Sequence, residues 1–245
     1  MPGMAGLRDK TVLVTGGARR IGREIALEAA RAGANVAITY LKSEQEARRT
    51  LAAIAEAGAQ GLSVECDVRD AKSVKAAVEA VRREFRGIDV LVNNAAVYQT
   101  VAFEKITLEQ WDEVFATNAR GPFLVSRAAL SSLRQRRGRI IQLGSLGGLR
   151  PWATHGHYCA SKAALMMLTQ VMAKALAPEV AVNCVAPGMI DTGQRSAIRE
   201  RLATKTPMKR NGTPAEVAAA VMFFATAPKF ITGQVLMVDG GLGLG

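Results

Sequence analysis

The chain has 245 residues, 49% hydrophobic and 22% charged, enough for a folded domain with a sizeable core and unlike a disordered or fibrous protein. No apolar run reaches membrane-span length and no signal-type segment precedes the first strand, so a cytoplasmic protein with no membrane partner is expected. The net charge of +11 admits a nucleic-acid partner, but the basic residues are spread over several helices without a nucleic-acid motif, and anionic small ligands are the simpler expectation.

Apolar strands alternate with alanine-rich helices along the chain. Residues 10–17, KTVLVTGG, predict a buried strand running into a tight turn, followed by a helix over 23–33 that stops at Gly33. A second strand (35–40) precedes a helix at 44–58, a third (61–68) precedes a helix at 71–85, and a fourth spans 88–96. A long helix over 107–137 is expected to bend around Gly121-Pro122. A fifth strand (138–145), a helix (157–176), a sixth strand (180–188), a helix opened by Thr-Pro (213–226) and a last strand (233–241) complete the order. Continuous Val/Ile/Leu strands separated by helices predict an α/β fold. It is one Rossmann-type domain over 1–245, a doubly wound parallel sheet of about seven strands with helices on both faces. The irregular stretch 189–212 follows a strand's carboxyl end and reads either as a substrate lid or as a surface excursion. Cys66, Cys159 and Cys184 are far apart and form no C-x-x-C pair; with two histidines, His155 and His157, no disulfide framework and no metal site are expected.

The stretch TGGARRIG (15–22) joins the first strand to the first helix, the context of a dinucleotide-binding turn. Gly16 permits the tight turn, Gly22 lets helix and strand pack closely, and the helix N-terminus offers N–H groups to a pyrophosphate. Enzymes of this architecture that use NAD carry an acid at the end of the second strand. Here that end reads TYLKS, with no carboxylate from Thr39 to Ser43. Arg19, Lys42 and Ser43 therefore suit a 2′-phosphate, and Arg20 the pyrophosphate or the substrate mouth, which points to NADPH. Lys42 alone could equally be a solvated lysine. Asp67, in the CDV that ends the third strand, can accept from an adenine amino group. Asn93 ends the fourth strand at the same crevice, although asparagines there often only fix loops.

YCASK places Tyr158 and Lys162 one helical turn apart on one face. A free phenol titrates near 10, and a nearby ammonium favours the phenolate, so the pair can exchange a proton with a carbonyl oxygen. Ser145 ends the fifth strand, where its hydroxyl can hold the same oxygen, and Asn118 can anchor a water behind Lys162.

Together TGGARRIG, DV, NNAA (93–96), Asn118, Ser145, YCASK and PGMIDT (187–192) resemble the short-chain dehydrogenase/reductase family, over about Thr11 to Gly241. The resemblance implies an oxidoreductase with Asn118, Ser145, Tyr158 and Lys162 as its catalytic tetrad, Lys162 also holding the nicotinamide ribose. It further implies cofactor contacts at Ile21, Val68, Ala95, Pro187, Gly188, Ile190 and Thr192, and a homotetramer built partly on helices 107–137 and 157–176, whose Ala- and Met-rich faces could equally be core. Ala96 ends the usual NNAG motif, a mild departure. Arg20, in place of the motif's middle glycine, and TYLKS resemble the pteridine reductase branch. Ser145 and the ITGQVLMVDGG ending resemble bacterial 3-oxoacyl-[acyl-carrier-protein] reductases. A 3-oxoacyl thioester or similar small ketone is the expected substrate, a dihydropterin the alternative, and a non-catalytic nucleotide-binding regulator the remote one. The arginines at 127, 134, 136, 137 and 139, with no acid among them, could steer an acidic carrier protein or merely cap a helix end. The stretch 189–212 adds Arg195, Arg199, Arg201, Lys205, Lys209 and Arg210 against Asp191 and Glu200.

Overall fold

The computed structural model describes residues 6–193 and 203–244. Seven parallel strands form one sheet: β1 (Thr11–Val14), β2 (Asn35–Tyr40), β3 (Gly61–Glu65), β4 (Val90–Asn93), β5 (Arg139–Leu143), β6 (Ala181–Pro187) and β7 (Val235–Val238), in the order β3-β2-β1-β4-β5-β6-β7. The helices are α1 (Arg20–Arg31), α2 (Glu44–Glu56), α3 (Ala71–Phe85), α4 (Leu108–Phe115), α5 (Gly121–Gln135), α6 (Gly156–Leu176) and α7 (Pro214–Thr226).

The pleat sorts the apolar runs into two layers. Val12 and Val14 face a core built with α1, α2 and α7, among them Ile25, Ile54 and Val217, while Leu13 faces a second core built with α3, α5 and α6, including Val74, Leu133 and Ala173. Each fully buried Val, Leu or Ile contributes roughly 1.5–3 kcal/mol, so runs apolar at every position are what a sheet covered on both faces requires.

The expected long helix is three pieces. A π-helical turn, Ala116–Arg120, joins α4 to α5 immediately before Gly121-Pro122, so the irregularity begins one turn ahead of the proline. Asn118 lies in this turn and is fully buried. Of the expected lid, residues 194–202, with Arg195, Arg199, Glu200 and Arg201, lie outside the described residues. At its near ends a short parallel bridge pairs Ile190 with Gly212, and Arg210 is held by Glu216 at 2.9 Å.

After β3 the chain crosses back to place β4 beside β1, and the loops leaving these two strands part to open a crevice at the sheet's carboxyl edge. One side chain fixes their spacing. The Asn94 amide donates to the carbonyls of Thr15 (2.9 Å) and Gly16 (3.1 Å), while the Thr15 hydroxyl accepts from the backbone N–H groups of Asn94 (3.0 Å) and Ala95 (3.1 Å).

Candidate active site

The crevice is a cleft of about 730 Å³. Gly16, Arg19, Arg20, Ile21, Gly22, Lys42, Ser43, Asp67, Val68, Ala95, Ser145, Tyr158, Lys162, Pro187, Gly188, Ile190 and Thr192 line it. Asn93 and Asn118 do not.

At one end the turn after β1 is shaped by backbone demands. Gly16 has φ +62°, and a Cβ there would come within 3.0 Å of the Ala95 Cα. At Gly22 a Cβ would run into the Gly16 carbonyl and the Asn94 amide. Arg20, where the motif's glycine is replaced, also has a left-handed backbone, φ +52°. A side chain at such a φ costs about 1–2 kcal/mol, so this arginine is retained against local strain and projects, exposed, into the cleft. No side chain caps α1, and its first turn contains no acid, whereas Asp70 caps α3, Thr107 caps α4 and Thr213 caps α7. An uncapped helix start beside Arg19 and Arg20 fits the pyrophosphate of a dinucleotide. Lys42 and Ser43 stand at the end of β2, and the nearest acid in sequence, Glu44, is taken up by Arg48 at 2.7 Å.

Asp67 is less free than its sequence suggests. The Arg69 backbone N–H and Nε donate to its Oδ1, both at 2.9 Å, and Arg69 Nη2 donates to its Oδ2 at 2.7 Å. The guanidinium holds the carboxyl below the usual carboxylate range. Most of its lone-pair capacity is thus spent within the chain, and an adenine amino group would compete with Arg69 for the remainder.

Asn93 is corrected outright. It is 2% exposed, and its amide turns away from the cleft to donate to Ser126 of α5 at 3.0 Å; the asparagine at the cleft is its neighbour Asn94. In a pleated strand consecutive side chains point to opposite faces, so this adjacent pair had to split, and the sequence alone did not say which way. Asn118 sits behind the cleft. Its Oδ1 accepts from the Val97 N–H and its amide donates to the Val97 carbonyl, both at 2.9 Å, and to Ser161 at 3.1 Å. Its side chain fixes the loop after β4, and no contact with Lys162 accompanies it.

At the other end α6 presents Tyr158 and Lys162, both buried. The Lys162 ammonium donates to the Leu143 carbonyl at the end of β5 (2.7 Å) and lies 5.9 Å from the Tyr158 ring centroid. Burial pushes the Tyr158 phenol up to about 12, opposed by its hydrogen bond with Ser145, and burial also pushes Lys162 down to about 8. Desolvation is the largest influence on both groups, and it favours the protonated phenol. Ser145 is held by a hydrogen bond from the Gly147 N–H to its Oγ, 3.1 Å.

Beside this group stand aromatic side chains that no sequence motif marks. Tyr98 is edge-on to Tyr158 with ring centroids 4.9 Å apart, and it and Trp152 line the cleft. Nothing in the sequence distinguishes them from loop aromatics. Arg69 was equally silent, since two residues of separation does not reveal a fork around Asp67.

The arginine run at 127–139 is not at the cleft mouth as one surface. Arg136 and Arg137 lie in the turn before β5, and Arg139 begins it, whereas Ser145 follows its far end. Six residues of extended chain place the two roughly 20 Å apart, on opposite edges of the sheet. Arg136 and Arg137 therefore do not flank the site. Among the described residues there is no cluster of three or more metal-ligating side chains, and no helix is long and apolar enough to cross a membrane.

Comparison with known proteins places this geometry. Residues 16–243 match the family model described as enoyl-(acyl carrier protein) reductase. The 3-oxoacyl-[acyl-carrier-protein] reductase FabG of Staphylococcus aureus is 37% identical over 240 residues, covering 95% of this chain and 98% of that protein. The 3-oxoacyl-[acyl-carrier-protein] reductase of Synechocystis is 36% identical, covering 98% and 99%. Among solved structures, a Sinorhizobium meliloti dehydrogenase/reductase superposes with a TM-score of 0.93 at 36% identity, covering 98% of this chain and 97% of that one. A Serratia marcescens short-chain dehydrogenase/reductase variant gives 0.93 at 34%, covering 97% and 99%.

Proposed function

The chain belongs to the short-chain dehydrogenase/reductase family, and from that premise we propose that it is an NADPH-dependent reductase of a 3-oxoacyl thioester or similar small ketone, with Tyr158 as proton donor. One observation carries the reading. A single cleft joins a nucleotide end carrying Arg19, Arg20 and Lys42, with no carboxylate between Thr39 and Ser43, to the group Ser145, Tyr158 and Lys162.

Bound NADPH supplies the hydride. Arg19, Lys42 and Ser43 would hold its 2′-phosphate, the start of α1 its pyrophosphate, and Lys162 its nicotinamide ribose, with Pro187, Gly188, Ile190 and Thr192 along the nicotinamide. The remaining chemistry is proton management. Tyr158 gives its phenolic proton to the substrate's carbonyl oxygen as that oxygen gains charge, and the Ser145 hydroxyl donates a hydrogen bond to the same atom. Burial keeps the phenol protonated at neutral pH, which supports the reductive direction. Lys162, at hand as a cation below about 8, then stabilises the phenolate left behind.

The 3-oxoacyl class is supported by the curated relatives, whose names specify it. A carrier-bound substrate would enter at the carboxyl edge, so the carrier would dock there rather than on Arg136 and Arg137. Homo-oligomerisation is supported by large apolar side chains left in water on α4–α6: Trp111, Phe123, Met167 and Val171; the tetramer itself rests on the family resemblance. A cytoplasmic location goes with this reading. The test is NADPH oxidation against an acetoacetyl thioester, a diketone and a dihydropterin. Thioester or ketone turnover that collapses in Ser145→Ala is expected. A kcat/KM for dihydropterin far above that for every ketone would overturn the substrate assignment.

A further inference from the structure

The opposite edge of the sheet carries a second concentration of positive charge, which the proposed chemistry does not use. Strand order sets β1, β4 and β5 side by side, so their amino ends lie at steps of about 4.8 Å. Lys10 precedes β1 and Arg139 opens β5, two strand spacings away. Arg137 stands in the turn before β5 with φ +47°, and Arg136 donates to the Arg86 carbonyl (2.9 Å) at the same edge. The Arg139 guanidinium is half-buried and donates to the Ala227 carbonyl (2.7 Å), two residues ahead of Lys229.

Little negative charge offsets this group. Asp89 is buried at the start of β4 and already committed, to the Lys10 ammonium (3.1 Å) and the Thr11 N–H (3.0 Å). Asp9 and Glu179 are the other acids on the adjoining turns, and among the described residues neither forms an ion pair with the cluster. Arg137, Arg139 and Lys229 are likewise without a carboxylate partner there. Burial first, then Arg139, Arg137 and Lys10, depress the Lys229 ammonium. Like charges are thus held together, part-desolvated, at a cost that an anion would remove.

We propose that this amino edge is a binding site for a small polyvalent phosphate anion, with Arg139 and Lys229 as its floor and Arg137 and Lys10 as its sides. Guanidinium forks suit phosphate oxygens, and a span of about 10 Å accommodates a few linked phosphates rather than one. The site lies roughly a strand length from the cleft, so its occupant is neither the cofactor nor the substrate.

Calorimetric titration of the full chain with sodium tripolyphosphate tests this, in saturating NADP so that the cleft's own phosphate-binding groups are occupied. The expected result is one further site per chain with sub-millimolar affinity, weakened tenfold or more when Arg137→Glu and Lys229→Glu are combined. A second readout needs no ligand. Lys229→Glu alone exchanges repulsion for attraction beside Arg139 and should raise Tm by about 1–3 °C at low salt. Absence of tripolyphosphate binding, binding indifferent to the double charge reversal, or a lowered Tm in Lys229→Glu would each overturn the site. A short single-stranded oligonucleotide that binds more tightly than tripolyphosphate, and is lost in the same double variant, would replace the small anion with a nucleic acid.

Discussion

Replacing Arg20 separates what its backbone costs from what its side chain does. The residue has φ +52° at the start of α1 and projects into the cleft. Arg20→Gly removes both the strain and the guanidinium, whereas Arg20→Ala removes only the guanidinium. The left-handed backbone costs a side-chain-bearing residue about 1–2 kcal/mol, and glycine's freer unfolded chain returns about 0.5–1 kcal/mol of that gain. Arg20→Gly should therefore be more stable than Arg20→Ala by up to about 1.5 kcal/mol, a Tm difference of a few degrees for a chain of this size. On the proposed reading both variants should also lose one charged contact to NADPH. Discounted for exposure, that is about 1–2 kcal/mol, a five- to thirtyfold rise in the NADPH dissociation constant. Thermal unfolding without cofactor and fluorescence titration with NADPH read the two effects independently. If Arg20→Gly melts below Arg20→Ala, the strain argument is wrong; if neither variant changes the NADPH affinity, the guanidinium does not meet the cofactor.

Arg19→Ala should weaken NADPH by about tenfold while changing NADH little, as measured by kcat/KM for each; equal losses for both would reject the 2′-phosphate role. Tyr158→Phe should abolish turnover yet keep NADPH binding, whereas Lys162→Ala should damage both, and more than a few per cent residual kcat in Tyr158→Phe would exclude it as the acid. Burial lowers Lys162 from 10.5 to about 8, so the folded chain binds fewer protons than the unfolded one between those values, and this group's destabilisation is full below pH 8 and relieved as pH rises toward 10.5. Lys162→Met should accordingly be more stable than the parent at pH 7, with a margin that shrinks above pH 8; a constant margin in denaturant titrations across this range would contradict a depressed ammonium.

The fold was legible because the central strands β1, β4 and β6 are apolar at nearly every position, the pattern of a parallel sheet covered on both faces. Helix ends were legible where glycine marks them, as at Gly33, whose φ is +88°. The π-helical turn was not, because Ala116–Arg120 continues a helical pattern and only the packing of Asn118 against Val97 and Ser161 shows what interrupts it. In the cleft, residues whose place follows from a turn or strand end, such as Arg19, Ser145 and Lys42, could be read directly. Those whose orientation depends on pleat or pairing could not. Asn93 and Asn94 are chemically identical and point to opposite sides, and Asp67 is largely spent on an arginine that no spacing rule announces. The Tyr158 phenol shows the same limit in energetic form, since i, i+4 spacing reports proximity to Lys162 and says nothing of the desolvation that dominates both groups.

With a dinucleotide bound as proposed, the uncapped start of α1 would make the cofactor a removable part of the fold. Asp70, Thr107 and Thr213 finish their helices permanently, whereas the first turn of α1 must borrow its hydrogen-bond acceptors from water or from a phosphate. A ligand that binds only the folded chain stabilises it by about 2.7 kcal/mol at a hundred times its dissociation constant. Because β1 is a central, fully buried strand, loss of that stabilisation would fall on the fold as a whole when the nucleotide pool is depleted, and the lifetime of the protein would report the supply of its own cosubstrate.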